Sequence, residues 1–476
     1  MSHPVFRHRG GGRADVPEEA LDALRAGLDG TSFAPGDAAY DEARSVWNAM
    51  IDRRPALVAR YAGAADVARC VVFARRHRVA LCVRGGGHNI GGRAVADGAL
   101  VVDQSQRRAV SVDLEAGVAV VEPGATLGDL DAGTRPYGVV LPSGIVSQTG
   151  LAGLTLGGGF GWLSRRWGLT CDHLVGVGMV GADGEHVDAD DDGHRDLMWA
   201  LRGGGGGLGV VTAFRFRLRP LPDPVTAGML IHSEREAAFA RFRARTADGC
   251  PEELTAMVKL GGAPAAQFLP AALHGRPVVA TLVCHSGGSG DGVDADLAPL
   301  RAGEAAAGDV VQPRPFAEFQ AMFDAGEPKG KRDYWKSEYV VDLDDGIVDA
   351  LLAATAEPPS PSANVKVFQL GGAVSRVSAA SSASGHRDAR YIVVVASSWD
   401  DPADDAENVA WVRDAWGAVH ARSGRGGYVN FLTEDSTGDE LGAALAGVDL
   451  ERLERVRRRH DPEGLFADPR PPAATA

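Results

Sequence analysis

The segment RGGGHNIGG, residues 84–92, follows directly on the apolar run VALCVR at 79–84. That run reads as a buried strand, so the glycines begin where a strand ends. Gly85, Gly86 and Gly87 strip side chains from the turn and free backbone N–H groups to meet phosphate oxygens. Arg84 adds a positive charge suited to a pyrophosphate. A purely phosphate-binding turn has no need of a histidine, yet His88 sits on it. Taken alone, the segment favours the plain reading of His88 as a hydrogen-bonding loop residue. The surroundings change that reading.

Upstream, ALVARYA (56–62) reads as a strand, and AADVARCVVFARRHR (64–78) sets Val67, Val71, Val72 and Ala74 at helical spacing. Downstream, ALVVD (99–103), AVSVD (109–113) and GVAVVEP (117–123) are short strands separated by turn residues. TLGDLDAGTRPYG (126–138) predicts a helix opened by Thr126 as N-cap and closed at Gly138. Long helices are too few for a doubly wound sheet, so the fold class is α+β. A chain of 476 residues exceeds one ordinary core, which implies two domains. PLPDP (220–224) is the clearest linker, and beyond it come long strand-like runs, RPVVATLVCHS (276–286) and ARYIVVVASSW (389–399). The second domain is placed at about 225–410. ERLERVRRRHDPEGLF (451–466) is an amphipathic helix stopped at Asp461-Pro462, and the PPAATA tail is expected to be disordered.

Two further glycine-dense segments accompany the first: GLAGLTLGGGFGWLSRRWGLTCDHL (150–174) and LRGGGGGLGVVTAFRFRLRP (201–220). GATLGDL (124–130) adds a turn at a helix start, suited to an anion. GGGFG (157–161) loosely meets a dinucleotide fingerprint, but no plain strand precedes it and no acidic ribose ligand follows, which argues against a Rossmann site. Glycine clusters about 50 residues apart imply one long ligand lying across one domain.

The net charge of -14 and pI near 5.4 argue against nucleic acid and anionic membrane as partners. The N-terminus lacks the apolar segment of a signal peptide, and no apolar run approaches the roughly 20 residues of a spanning helix. Five widely spaced cysteines form neither a zinc pattern nor a disulfide framework, so a cytoplasmic location is expected. HVDADDDGHRD (186–196) reads as a solvated acidic loop, and no metal is expected. KRDYWKSEYV (331–340) is a sheet edge or lines a ligand pocket with Tyr334, Lys336 and Tyr339. Cys171 reads as a buried thiol, and His285 and Trp399 as core.

RGGGH (84–88), GATLGDL (124–130), GLTLGGGFGWLSRRWGL (153–169), WALRGGGGGLGVVTAF (199–214) and YVNF (428–431), taken in order, resemble FAD-linked oxidases. The family has the vanillyl-alcohol-oxidase flavin fold, in its berberine-bridge-enzyme-like branch, with the 6-hydroxy-D-nicotine oxidase-like members nearest. The resemblance implies a two-subdomain PCMH-type FAD-binding domain over 1–222 and an α/β substrate-binding domain with an antiparallel sheet over 223–410. A C-terminal return to the FAD domain would cover 411–476. It further implies that His88 bonds the flavin 8α-methyl, while Arg84 to Gly87, Asn89 and Ile90 hold the pyrophosphate and ribityl region. Gly150, Gly153, Gly158 and Gly159 would admit the cofactor, Asp172 would support its adenosine half, and Val210 and Val211 would lie near the ring. The cofactor wall would also take in Gly124, Thr126, Leu127, Gly144, Gly209, Tyr428 and Asn430.

The activity implied is oxidation of a small organic substrate, a secondary metabolite such as a polyketide, alkaloid or sugar-bearing compound. The electrons would pass to oxygen and give hydrogen peroxide, in a monomer or homodimer. An oxygenase working through a flavin-N5-oxide and a dehydrogenase are the alternatives on the same scaffold, ahead of a flavoprotein without turnover. Three departures from the family pattern stand out. Val146 occupies the place of the cysteine that gives many relatives a second flavin bond, and Gly207-Leu208 replaces the usual asparagine segment. Phe431 lacks the hydroxyl that often serves as base. The base then falls to Tyr428, with Tyr339, Tyr334 and Glu338 in reserve, and Thr149 takes the position that gates oxygen in relatives.

Overall fold

The computed structural model describes residues 4–466, so the PPAATA tail lies outside the described residues. The fold is α+β. A four-stranded sheet runs in the order Thr31–Phe33, Leu57–Arg60, Leu100–Asp103, Leu81–Arg84. Its last three strands are parallel, joined through the helix Ala64–Arg76, which buries Val67, Cys70, Val71 and Ala74. Val72, placed with that set by its spacing, is exposed at 40%. The RGGGH loop therefore leaves the carboxyl end of a parallel strand, the end at which α/β units hold ligands.

A second, five-stranded antiparallel sheet orders Val110–Asp113, Val118–Val121, Val210–Arg217, Leu174–Val180 and His186–Asp190. The helix Leu127–Thr134 starts on a capping box in which Thr126 and Asp129 satisfy each other's backbone N–H groups.

The third sheet has eight strands, all antiparallel. Its central order is Val225–His232, Pro277–His285, Leu254–Gly262, Asn364–Gln369, Tyr391–Trp399, Arg332–Val340. One face packs against the helices Arg235–Thr246, Asp291–Arg301, Asp345–Ala354 and Asp405–Ser423 through Phe239, Phe242, Leu297, Leu351 and Val412. The other face, with Met257, Phe368, Ile392 and Val394, meets Phe160 and Trp162 of the second glycine segment. Both faces are covered, so these strands read as continuous apolar runs rather than alternating ones. The boundary expected at residue 410 falls inside the helix Asp405–Ser423, whose Val412, Ala415 and Val419 belong to this sheet's core. The chain leaves that layer only after Gly424, which ends the helix in a left-handed cap.

Arg165 ties the two halves together. It is 6% exposed, and its guanidinium donates to the carbonyls of Leu254 at 2.9 Å, Leu370 at 2.6 Å, Cys250 at 3.1 Å and Pro251 at 3.3 Å. Burial lowers its pKa, and no carboxylate pairs with it within ion-pair distance among the described residues. Arg165→Ala should therefore cost about 3 kcal/mol, because several buried carbonyls lose a charged donor. Urea unfolding checks this, and Arg165→Lys should recover only part of the loss, since an ammonium cannot reproduce the fork. A loss under about 1 kcal/mol would contradict the assignment.

Candidate functional site

A cavity of about 800 Å³ runs between the glycine segments and the apolar face of the eight-stranded sheet. Its size suits a ligand buried over most of its surface. Gly85, Gly86, Gly87, His88 and Asn89 line it, as do Gly144, Thr149, Gly150, Gly153, Gly209 and Val211. Tyr428 and Asn430 complete the set of expected residues that the fold brings together.

The first and second glycine segments touch backbone to backbone. A Cβ on Gly86 would lie 2.6 Å from the Gly150 Cα, and one on Gly150 would lie 2.7 Å from the Gly86 Cα. No other residue permits that approach, so neither position tolerates a side chain. His88 follows at once. Its ring stacks on Trp47 with centroids 4.4 Å apart, and the Trp47 backbone N–H donates to the Gly87 carbonyl at 3.0 Å. The Nε2 atom of His88 is buried with no hydrogen-bond partner. Burial pushes the imidazole pKa down to about 4, against a smaller upward pull from Glu327. The ring is therefore neutral near pH 7 and keeps a free nitrogen lone pair.

The C-terminal motif closes the far wall. Asn430 Nδ2 donates to the carbonyls of Gly153 and Leu154, each at 3.2 Å, and to the Tyr428 hydroxyl at 2.8 Å. Gly159 N–H donates to the same hydroxyl at 2.9 Å. Two N–H donors thus converge on one phenol oxygen. Burial, the largest influence on Tyr428, raises its pKa, while these donors lower it. Phe431 also lines the cavity, its ring centroid 5.0 Å from that of Tyr428 and 5.6 Å from that of Trp335.

Several expected site residues stand elsewhere. The Arg84 guanidinium turns to the Ala43 carbonyl and lies 3.9 Å from Asp103, bracing the loop from behind. The Ile90 carbonyl accepts from Asn48 at 3.1 Å, and Val210 sits in a core below the sheet. Gly124 packs on Gln104, Thr126 caps its helix and Leu127 is wholly buried. Gly158 and Gly159 flank the Tyr428 ring and hydroxyl. Asp172 is spent on Arg387, at 2.7 and 2.8 Å, and on the Leu169 N–H at 2.8 Å. Those bonds occupy most of the acceptor sites of its carboxylate.

The reserve bases need the same correction. Along Arg332–Val340 the odd positions face the cavity side and the even positions face the helices. Glu338 accepts from His420 at 3.1 Å and from the N–H groups of Arg425 and Gly426 at 2.9 and 3.0 Å. It holds the bend that delivers Tyr428, away from the cavity. Tyr334 bonds Asp435 at 2.8 Å and Lys336 bonds Glu440 at 2.7 Å. Tyr339 stacks on His386 at 4.2 Å outside the cavity wall, its pKa raised by burial. Of KRDYWKSEYV, Trp335 lines the cavity.

Residues missed in the sequence are Trp47, Phe160, Glu327, Trp335, Lys366, Phe368 and Arg457. The inward lysine of NVKVFQ was the readable signal, a charge within an apolar strand. In HVDADDDGHRD, Asp188 pairs with Arg215 and Asp191 with Arg202, while Asp190 caps a turn at Gly193. Among the described residues no group of three or more His, Cys, Asp and Glu is arranged to hold a metal. No described helix is long and apolar enough to cross a membrane.

The unpartnered His88 nitrogen, the side-chain-free contact of Gly86 with Gly150 and the length of the cavity fit a flavin dinucleotide. A family model described as an FAD binding domain matches residues 55–190. The chain is 29% identical to an uncharacterized FAD-linked oxidoreductase, YgaK, of Bacillus subtilis, over 92% of this chain and 96% of that one. It is 27% identical to (R)-6-hydroxynicotine oxidase of Paenarthrobacter nicotinovorans, over 92% and 95%. Among solved structures, BBE-like 1 of Physcomitrella patens superposes with a TM-score of 0.84 at 24% identity, over 96% of this chain and 99% of that one. Residues 55–190 thus carry an FAD-binding domain, and over 92% of its length the chain is similar to FAD-linked oxidoreductases.

Proposed function

We propose that the protein is an oxidase that holds FAD through a single covalent bond to His88 and acts on a small organic substrate at the sheet end of the cavity. One observation carries this reading: a neutral imidazole at the end of the glycine loop that lines the cavity and stacks on Trp47, its Nε2 without a partner. When bound, FAD supplies a two-electron acceptor for a C–H bond beside an alcohol, amine or phenol, and returns the electrons to oxygen as hydrogen peroxide.

The chain's own residues would do the rest. Gly85 to Gly87, Gly150 and Gly153 supply close backbone approach, and Gly204 to Gly207 with Arg457 line the cavity beyond them. Arg457 donates to the Gly204 carbonyl at 2.9 Å and so stiffens that segment. As its phenolate, Tyr428 would take the substrate's O–H or N–H proton on its phenol oxygen; burial opposes that form and the two N–H donors favour it. The N–H groups of Gly159 and Asn430 stabilise that oxygen whenever it carries negative charge. Phe160, Trp335, Phe368 and Phe431 keep the reacting end apolar and water-poor. Val146 lines the same cavity and offers no sulfur for a second bond.

Three outcomes follow. Acid-precipitated wild type should stay yellow and yield one flavinylated peptide, the one containing His88, while His88→Ala should release its flavin on denaturation. A second flavinylated peptide, or a colourless wild-type pellet, would contradict the single link. Tyr428→Phe should slow flavin reduction by roughly 10²–10⁴-fold with cofactor content unchanged. If stopped-flow reduction is instead unaffected, the role passes to Glu327, the carboxylate at this end of the cavity wall. Thr149 lines the cavity, and its backbone makes its hydrogen bonds, accepting from Leu127 at 3.0 Å and donating to Val146 at 3.1 Å. Thr149→Leu should then slow reoxidation by air while sparing reduction, because the larger side chain blocks oxygen. Equal reoxidation rates would remove Thr149 from the oxygen path.

A further inference from the structure

The cavity face of the eight-stranded sheet is mostly apolar, with Asp333 and Ser337 on it and one row that carries two cations. Lys366 lines the cavity and stands directly opposite Lys259 on the neighbouring strand, so both side chains leave the same face. Phe368 lies two residues along from Lys366, Val394 is its partner on the next strand, and Trp335 lies beyond. Lys366 Nζ donates to Glu327 Oε1 at 2.6 Å. Glu327 faces the cavity too, near His88. Lys259 has no carboxylate within ion-pair distance among the described residues.

Two ammonium groups therefore share one carboxylate. Burial, reinforced by repulsion from Lys366, pushes Lys259 down to about 8, and Glu327 holds it from falling further. Asp333 restores the balance only in part at neutral pH, because burial pushes its carboxyl up to about 7. An excess positive charge in an apolar wall is unfavourable unless an anion meets it. The chain as a whole has a net charge of -14, so general basicity does not account for the row.

We propose that Lys259 and Lys366 receive an acidic group of the substrate, a carboxylate or an acidic phenol, carried on a flat apolar body that fits among Trp335, Phe368 and Phe431. The inference rests on the oxidase reading, since it names that reading's substrate class. Lys366, which lines the cavity, supplies the N–H donors, and Lys259, beside it on the next strand and outside the cavity lining, supplies the uncompensated charge. Glu327 fixes the Lys366 ammonium in place.

The test titrates benzoate, benzamide and benzylamine into the holoenzyme by calorimetry. Benzoate should bind at least about tenfold more tightly than its neutral isostere benzamide, and benzylamine no better than benzamide. Lys259→Met should weaken benzoate about tenfold and leave benzamide unchanged. That variant loses no ion pair, so it remains informative if Lys366→Met fails to fold. The charged groups facing Lys259 are Lys366 and Glu327, and Glu327 is itself faced by His88, which is neutral. Asp333 gains its negative charge through about 7 and Lys259 loses its positive charge through about 8, so benzoate affinity should be highest below pH about 7 and fall above it. Equal affinities for benzoate and benzamide, a preference for benzylamine, or a pH-independent benzoate affinity up to pH 9.5 would overturn the assignment. Failure of the oxidase reading looks different: reduced cofactor that air does not reoxidise, with the benzoate preference intact.

Discussion

Three segments far apart in the chain meet at Asn430, and the site depends on that junction. Its nitrogen reaches the carbonyls of Gly153 and Leu154 and the hydroxyl of Tyr428, while its backbone carbonyl accepts from Asn89 at 3.2 Å. A side chain at Gly157 would occupy the same space, 2.3 Å from the Asn430 oxygen. The glycine there is the condition for the C-terminal motif to dock. Once docked, the motif closes the cavity, orients Tyr428 and presses Phe431 against Trp335.

The two ends of the cavity follow from different physics. At the glycine end, backbone meets backbone and side chains are excluded, which leaves N–H groups and dipoles to meet a long anionic cofactor. At the sheet end, a wall covered by helices on its outer face presents aromatic rings and one charged row inward. His88 sits where the two regimes meet, its Nε2 buried and without a hydrogen-bond partner. Its neutrality and its unpartnered nitrogen come from the same burial, not from a neighbouring base.

The glycine end was legible in the sequence because glycine at a strand's end has a local cause. The RGGGH loop, the Thr126 cap and the strand before each could be read without knowing the fold. The sheet end was not. Which face of Arg332–Val340 points inward depends on pairing with Tyr391–Trp399, and both faces of that strand are buried. Glu338 and Tyr334 were therefore drawn to the site by their chemistry, although they point into the helix layer. Glu327 and Lys366 went unnoticed because they meet only across 39 positions of chain. The pairing of Asp172 was hidden for a related reason: its partner Arg387 lies in a loop no local pattern connects to it. PLPDP marks the entry to the sheet by composition, whereas position 410 lies inside a helix packed on that sheet, whose end no change of composition announces.

The account turns on the nitrogen of His88, and the mass of the denatured polypeptide tests it most directly. Purified wild-type protein, unfolded in acid and freed of small molecules, should weigh one FAD more than its chain, with no unmodified species of comparable abundance. A spectrum containing only the unmodified chain, from a preparation that was yellow before denaturation, would contradict the covalent assignment and leave His88 as a side chain that merely packs against the cofactor.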